Sequence, residues 1–205
     1  FMIKKISERI LLKISGESLM GKFAYGIDIK VVKRLAKELL DFKELNIQIC
    51  IVIGGGNIFR GLAASAKGMD RANADYMGML ATVMNSLALQ NALEDLDVET
   101  RVMSAFPIQS ICETYISRRA MRHMDKGRIV ICAAGTGNPF FSTDTAAALR
   151  AAELKCTSIY KATTVEGIYN KDPKKYKNAK KVKEISYNDF LSADLKVMDS
   201  AAISI

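Results

Sequence analysis

Three glycine-rich turns in this chain could together bind a phosphate group, because each follows a short apolar run typical of a β-strand. They are Ser15-Gly16, Gly54-Gly55-Gly56 and Gly135-Thr136-Gly137. Glycine lets the backbone approach a bulky anion, and a helix that begins after such a turn directs free N–H groups at that anion. Since the carboxyl ends of parallel strands meet at one edge of a sheet, the turns predict one phosphate site.

Three charged side chains are expected to flank that site. Lys13 and Lys161 stand near the ends of predicted strands, and Asp144 stands in the first turn of a predicted helix. Two ammonium groups oriented by one carboxylate would supply the electrostatic stabilisation that phosphoryl transfer mostly requires. The alternatives are an edge-strand lysine that reaches solvent, and an aspartate that only complements the helix dipole.

Arg60 and Asp75 are weaker candidates for the same site. An arginine can hold a phosphate through two parallel hydrogen bonds, and a carboxylate can accept from sugar hydroxyls. Each would be a plain surface charge if it stood alone. His123 is the only histidine. Because no serine, cysteine or carboxylate partner is indicated for it, we interpret it as structural and disfavour a histidine-centred hydrolase.

Two nucleotide-binding motifs are nearly matched. Residues 16–22 have the glycine spacing and the lysine of a P-loop, but Phe23 stands where that loop needs Ser or Thr to hold magnesium. Phe59 and Phe140 occupy the places where a dinucleotide fingerprint has its third glycine. The sequence therefore disfavours both a P-loop kinase and an NAD-binding protein.

Composition indicates an ordinary globular protein. The chain has 205 residues, 49% of them apolar, which suits one large α/β domain or one and a half. It has neither a signal-peptide layout nor an uninterrupted apolar span, so we expect a cytoplasmic protein with no membrane partner. The net charge of +8 is concentrated in lysines between 171 and 183. We interpret these lysines as a loop beside a nucleotide phosphate, and expect no nucleic-acid partner, because few aromatic residues are interleaved with them.

The cysteines are expected to be small core residues. They stand far apart at Cys50, Cys112, Cys132 and Cys156. Because no spacing among them suits a metal site, we predict no metal ligand, zinc site or disulfide.

Hydrophobic periodicity predicts the elements that position these residues. Short β-branched runs at 10–14 and 47–53 predict central parallel strands, with a helix between them capped by Asp28. Residues 75–93 predict a helix that is apolar around most of its circumference. Such a helix is buried on more than one side, so another subunit is a candidate for its second covering surface.

The second half of the chain continues the alternation. Strands are predicted at 128–133 and 158–162, and Ser142 or Thr143 can cap the helix that follows the third glycine turn. Residues from Glu153 onward are expected to form a second lobe on the same sheet. The pattern predicts an α/β fold, with a doubly wound, mainly parallel sheet sandwiched between helices.

Four longer motifs surround the turns and the charged residues. They are Arg9-Ile-Leu-Leu-Lys13-Ile-Ser-Gly-Glu17, Val52-Ile-Gly-Gly-Gly-Asn57-Ile-Phe-Arg60-Gly, Asp75-Tyr-Met-Gly-Met-Leu-Ala-Thr-Val-Met-Asn85 and Gly135-Thr-Gly-Asn-Pro-Phe-Phe-Ser-Thr-Asp144. Together with Lys196-Val-Met-Asp199, they closely resemble the motifs of the amino acid kinase family, in its bacterial uridylate kinase branch. The resemblance extends from about Arg9 to Ile205.

The resemblance implies magnesium-dependent transfer of the ATP γ-phosphate to UMP, giving UDP and ADP without a covalent enzyme intermediate. Charge stabilisation would come from Lys13, Asp144 and Lys161. The implied ATP-phosphate residues are Lys13, Ser15, Gly16, Gly56 and Arg60, and the implied ATP-nucleoside residues are Thr163, Tyr169 and Asp172. The implied UMP residues are Gly55, Arg60, Asp75, Thr136, Gly137, Asn138, Pro139, Phe140, Phe141, Ser142 and Thr143.

The resemblance also implies a homohexamer, activation by GTP and inhibition by UTP. It divides the chain into a UMP lobe at 1–152, which carries the oligomer helix, and an ATP lobe at 153–205. Because relatives continue past the position of Ile205, the ATP lobe is expected to be incomplete at its C-terminus. Thr157 and Glu166 stand where the family usually has Asp.

Two other functions remain open on the same fold. One is an amino acid kinase that phosphorylates a carboxylate or carbamate, against which Asp75 and residues 136–143 argue. The other is a non-catalytic oxyanion-binding protein, against which the retention of Lys13, Asp144 and Lys161 argues.

Overall fold

The structure is a computed structural model, and it describes residues 8–45, 47–60, 68–162, 167–171, 175–176, 178–193, 195 and 197–205. Its strands are β1 (Arg9–Ile14), β2 (Gln48–Ile53), β3 (Thr100–Ser104), β4 (Glu113–Thr114), β5 (Ile129–Ala133), β6 (Ser158–Ala162), β7 (Ile168–Tyr169) and β8 (Lys181–Val182). Its helices are α1 (Ile29–Glu44), α2 (Arg71–Glu94), α3 (Ser117–Asp125), α4 (Thr143–Glu153), α5 (Tyr187–Ser192) and α6 (Ser200–Ser204), with a 3₁₀ turn at Gly16–Leu19.

Within the described residues, six strands form one sheet in the order β4-β3-β5-β2-β1-β6. Every pairing in this sheet is parallel. All carboxyl ends therefore lie along one edge, as predicted. β7 and β8 form a separate antiparallel pair, in which Tyr169 faces Lys181.

Alternate residues of the strands supply two cores, one on each face of the sheet. Ile49 and Ile51 pack into the core that contains residues of α1 and α2. Cys50 and Val52 pack into the core that contains residues of α3 and α4. A parallel sheet covered on both faces is built from near-continuous apolar strands. The predicted sandwich of helices around a doubly wound sheet is confirmed.

The predicted elements are present, but one boundary differs, and β4, β7, β8, α5 and α6, as well as β3, were not predicted. The long helix α2 begins at Arg71 rather than at the predicted position 75, because Asp70 caps it by accepting from the Asn73 N–H at 3.0 Å. The expected cap of α1 is present, since Asp28 Oδ1 accepts from the Lys30 N–H at 2.9 Å.

The cysteines are free thiols, and all four lie within the described residues. Cys50 and Cys132 are buried, and Cys112 and Cys156 pack against the cores. Among the helices of the described ranges, none combines the length and the apolar character needed to cross a bilayer.

Candidate active site

The turns after β1 and β2 lie against each other at the carboxyl edge of the sheet. A side chain on Gly16 would place its Cβ 2.5 Å from the Gly54 carbonyl oxygen, and the Gly54 N–H donates to Ile14 O at 2.9 Å. A Cβ on Gly54 would lie 3.5 Å from Thr143 Oγ1, at the start of α4. Two of the turns and the helix that follows the third turn thus converge on one region.

One carboxylate lies between two ammonium groups in this region. Lys13 and Lys161 occupy paired positions on the neighbouring strands β1 and β6. Asp144 Oδ1 lies 2.7 Å from Lys13 Nζ, and Asp144 Oδ2 lies 2.7 Å from Lys161 Nζ. Lys13 is only 7% exposed. The alternative of an edge-strand lysine is wrong, because β1 lies between β2 and β6.

The start of α4 holds Asp144 in place. Ser142 Oγ accepts from the Asp144 and Thr145 N–H groups, at 3.0 and 3.2 Å. This cap leaves Asp144 in the first turn, where the helix dipole stabilises a negative charge. Lys161 also donates to Val197 O. The site therefore combines two basic side chains and one acidic side chain, which are carried by β1, β6 and α4.

Arg60 stands at the mouth of the site beside both turns. Its guanidinium forms an ion pair with Glu17, in the 3₁₀ turn, and its Nε donates to Gly56 O at 3.3 Å. The side chains of this pair are 59% and 47% exposed. Because exposed ion pairs contribute little stability, the guanidinium can separate from Glu17 at small cost.

Asp75 connects α2 to the segment at 136–143. Its carboxylate accepts from Arg71 Nε at 2.9 Å and from the Phe140 N–H at 2.8 Å. The Arg71 guanidinium also lies over the Phe140 ring, 5.7 Å from its centre. Phe140 has a φ of 72°, a left-handed conformation that is uncommon for a non-glycine residue. These contacts hold Phe140, in the segment at 136–143, against the N-terminal end of α2.

A cavity between α2 and this segment contains several of the predicted UMP residues. It is lined by Gly55, Phe59, Asp75, Gly78, Met79, Thr82, Gly135, Thr136, Phe141 and Thr143. Thr136 Oγ1 also accepts from the Asn138 N–H at 3.1 Å, so residues before and after Gly137 are joined. Pro139 is partly buried in the same segment.

Of the three predicted ATP-nucleoside residues, the structure describes only Tyr169. Thr163 and Asp172 lie outside the described residues. Tyr169 lies in β7, which is not a strand of the six-stranded sheet.

The expectation that His123 has no carboxylate partner is wrong, because Glu113 lies 3.2 Å from its Nε2. Its other ring nitrogen lies 3.1 Å from Arg128, and we retain a structural role for it.

Asp199 is a site residue that sequence reasoning left without a role. It accepts from the Ser142 hydroxyl, from Thr145 Oγ1 at 3.0 Å and from the Ala202 N–H at 2.7 Å. Burial acts to raise the pKa of Asp199, but these hydrogen bonds and the charge of Lys161 together hold the pKa below its ordinary value. Asp199 thus fastens the C-terminal helix α6 to the start of α4. Its presence in the Val-Met-Asp motif was the only sequence signal.

The sequence of this chain is similar to the sequences of known kinases. A sequence profile of the amino acid kinase family matches residues 8–205. A curated uridylate kinase of Zymomonas mobilis is 59% identical over 197 residues, which are 96% of this chain and 81% of that protein. The uridylate kinase of Ehrlichia canis is 57% identical over 198 residues, with the same shares of the two chains.

The fold of this chain is similar to the folds of solved UMP kinase structures. The crystal structure of UMP kinase from Bacillus anthracis has a TM-score of 0.92 and 40% identity, and the match covers 96% of this chain and 82% of that one. UMP kinase from Ureaplasma parvum has a TM-score of 0.92 and 39% identity, over 98% and 85% of the two chains. The chain belongs to the amino acid kinase family.

Proposed function

We propose that this chain is a UMP kinase, which transfers the γ-phosphoryl group of ATP to UMP and releases UDP and ADP. The observation that carries the proposal is the placement of Lys13, Asp144 and Lys161 among the glycine turns. The names of the relatives specify the acceptor, and therefore do not favour a carboxylate, a carbamate or a non-catalytic role.

The proposed chemistry needs positioning and charge stabilisation. A phosphate oxygen of UMP attacks the γ-phosphorus, the bond to the β–γ bridging oxygen breaks, and ADP leaves with that oxygen. Charge is spread over the transferred oxygens during this step. Lys13 and Lys161 stabilise that charge from two strands, and Asp144 orients both ammonium groups and offsets their mutual repulsion.

We assign the two substrates to opposite sides of these lysines. ATP phosphates lie along Lys13, Ser15, Gly16, Gly56 and Arg60, and the nucleoside extends towards Thr163, Tyr169 and Asp172. UMP occupies the cavity beside Gly55 and Asp75, with residues 136–143 around its sugar and base. The position of Arg60 between two turns suits contact with the phosphates of both nucleotides.

Magnesium fits this site as a companion of ATP. Among the described residues, no group of three or more His, Cys, Asp or Glu side chains could hold a metal ion. Mg²⁺ in such sites is bound largely by substrate phosphates and water. When bound with ATP, it would supply positive charge against the ATP phosphates. The described part of the chain therefore supplies cations that complement the metal rather than a carboxylate cage.

The remaining proposals concern the whole protein. From the family resemblance we propose a cytoplasmic homohexamer in pyrimidine nucleotide biosynthesis, with a UMP lobe and an ATP lobe, activated by GTP and inhibited by UTP. The exposed apolar face of α2 supports an assembly through that helix. Tyr76, Met77, Leu80 and Met84 are all between 43% and 53% exposed.

A coupled ADP-release assay over UMP, CMP, AMP and GMP tests the function. We expect turnover with UMP and far poorer turnover with the others. Silence with UMP together with ADP release on an amino-acid carboxylate would contradict the assignment. ATP binding without turnover on any acceptor would instead favour an oxyanion-binding protein.

A further inference from the structure

Two buried asparagine side chains form a closed pair behind the phosphate turns. Asn57, in the turn after β2, is 1% exposed, and Asn85, in the middle of α2, is 0% exposed. Asn57 Nδ2 donates to Asn85 Oδ1 at 2.9 Å, and Asn85 Nδ2 donates to Asn57 Oδ1 at 2.7 Å. Each amide thus satisfies the other, which a buried polar group requires.

The second N–H of each amide reaches a different segment of backbone. Asn57 Nδ2 donates to Gly26 O at 2.9 Å, and Asn85 Nδ2 donates to Gly54 O at 2.7 Å. The Gly26 N–H donates back to Asn57 O at 2.8 Å. All four amide N–H groups therefore have partners, and the pair joins the turn after β2, the segment before α1 and helix α2.

The turn after β1 also lies close to the asparagine pair, through Gly16. A Cβ at Gly16 would be 2.5 Å from Asn57 Oδ1. Both turns proposed to hold the ATP phosphates therefore rest on one pair of amides, which is anchored in the helix that carries Asp75. Among the hydrogen bonds of the described residues, those of these two side chains go to each other and to backbone.

We infer that Asn57 and Asn85 are positioning residues for the proposed phosphoryl transfer, and this inference rests on the proposed function. The pair fixes the distance between the phosphate turns and the acceptor side of the cavity without contacting either substrate. Both amides need donors and acceptors at once. An ionised carboxylate at position 57 or 85 could only accept hydrogen bonds. Its oxygen would then lie next to the oxygens that now accept from the amide.

The test is the isosteric change Asn85→Asp, with Asn91→Asp on an exposed turn of the same helix as control. An ionised carboxylate at position 85 cannot donate to Gly54 O or Asn57 Oδ1. Burial and these acceptors favour the neutral form of that carboxyl group, which regains one donor. We expect kcat/KM to fall about 10- to 100-fold near pH 8, with partial recovery near pH 6 relative to the unaltered chain. Asn91→Asp should change neither value appreciably.

Unaltered or pH-independent kcat/KM in a folded Asn85→Asp variant would overturn the inference. So would a loss that is fully explained by a smaller folded fraction. Inactivity of the unaltered chain on UMP would instead contradict the proposed function, and ATP affinity measured by calorimetry would then replace kcat/KM as the readout.

A measurement on the unaltered chain covers the case in which the variant fails to fold. Side-chain amide protons of Asn57 and Asn85 should exchange with solvent far more slowly than those of Asn91. Their NMR shifts should move when a non-hydrolysable ATP analogue binds, because Gly16 and Gly54 contact the pair. Fast exchange of these amide protons would contradict the inference, and so would NMR shifts that do not change when the nucleotide analogue binds.

Discussion

At the scale of single residues, the site depends on one carboxylate that serves two lysines. Lys13 and Lys161 face each other across neighbouring parallel strands, and Asp144 lies 2.7 Å from both ammonium groups. Without Asp144, the two cations would repel each other in a part-buried position. In the proposed function, the two ammonium groups that Asp144 holds would meet the larger negative charge of a phosphate chain.

Lys13→Ala should abolish most turnover while the chain stays folded. Asp144 keeps Lys161 as a partner, so no buried charge is left alone, but one cation facing the transferred group is lost. We expect kcat to fall about 100- to 1000-fold, by analogy with the loss of one preorganised electrostatic contact. The ADP-release assay measures the loss, and circular dichroism verifies folding.

Lys33→Ala is the matched control for this change. Lys33 lies on the surface of α1, 3.9 Å from Asp95, and its side chain is 59% exposed. An exposed pair of this kind contributes little. If Lys13→Ala turned over UMP as fast as Lys33→Ala, the proposed role of Lys13 would be wrong.

Asp199 should make stability depend on pH in acid. Its pKa is lowered in the folded chain, so its stabilising contribution is complete above the unfolded-state pKa and is lost as pH falls through the folded-state pKa. Asp199→Ala should lower the free energy of unfolding at pH 7 by about 1–2 kcal/mol through loss of the α6 cap. The gap should narrow below about pH 4.

Thermal unfolding from pH 7 to pH 3 measures this difference. Asp41→Ala, on the exposed surface of α1, is the control and should follow the unaltered chain at each pH. A constant gap between Asp199→Ala and the unaltered chain would show that the charge of Asp199 contributes nothing.

Residue patterns predicted Lys13, Asp144 and Lys161 because each stands next to a strand end or a helix start that has its own local signal. Asp199 also stands at a helix start, but α6 is a five-residue helix that was not predicted. The contact of Asp199 with Thr145 spans 54 residues, and it depends on how the C-terminal segment folds back over α4. The spacing of residues along the sequence does not show that the C-terminal segment packs against α4.

At the scale of elements, glycine sets the distance between the turn after β2 and helix α2. A Cβ at Gly55 would lie 2.6 Å from Gly78 O and 2.9 Å from Ala81 Cβ, and the first of these is helix backbone that cannot move alone. Gly55→Ala should therefore push the turn away from the helix and lower the free energy of unfolding by about 1–3 kcal/mol.

Gly78→Ala is a control on the other side of the same contact. A Cβ at Gly78 would meet nothing within 4 Å, and alanine is the better helix former, so we expect a gain of about 0.5–1 kcal/mol. Urea unfolding of both variants measures the contrast. Equal stability of the two would mean that the close approach of Gly55 to the helix has no energetic consequence.

The same local reasoning explains which elements were predictable. β1, β2, β5 and β6 are largely apolar runs, and in the sequence each is followed within two residues by a glycine or a threonine. β3 has the sequence Thr-Arg-Val-Met-Ser, and in the sequence it is followed by Ala105 and Phe106 rather than by a glycine or a threonine. Thr100 is polar yet buried, because its hydroxyl donates to Val98 O at 3.0 Å.

At the scale of the whole molecule, the two faces of α2 have different surroundings. Asn85, Ser86 and Leu89 are buried against the sheet side. Met77, Leu80 and Met84 recur at spacings of three and four on the other side, and they are exposed. Large side chains at such spacing form one stripe on a helix. The predicted burial of this helix on more than one side is therefore incomplete in a single chain.

If another copy of the chain covers the stripe, Leu80→Glu should weaken the assembly. Leu80 is 49% exposed in the single chain, so a carboxylate there is solvated in the monomer but would be desolvated without a partner in an interface. Light scattering should give a mass several times 22.6 kDa for the unaltered chain and a smaller mass for the variant. Leu45→Glu, at a 70% exposed position that follows α1 and is not part of the stripe, should leave the mass unchanged. A mass of 22.6 kDa for the unaltered chain would contradict the assembly, and equal masses for all three would place the interface elsewhere.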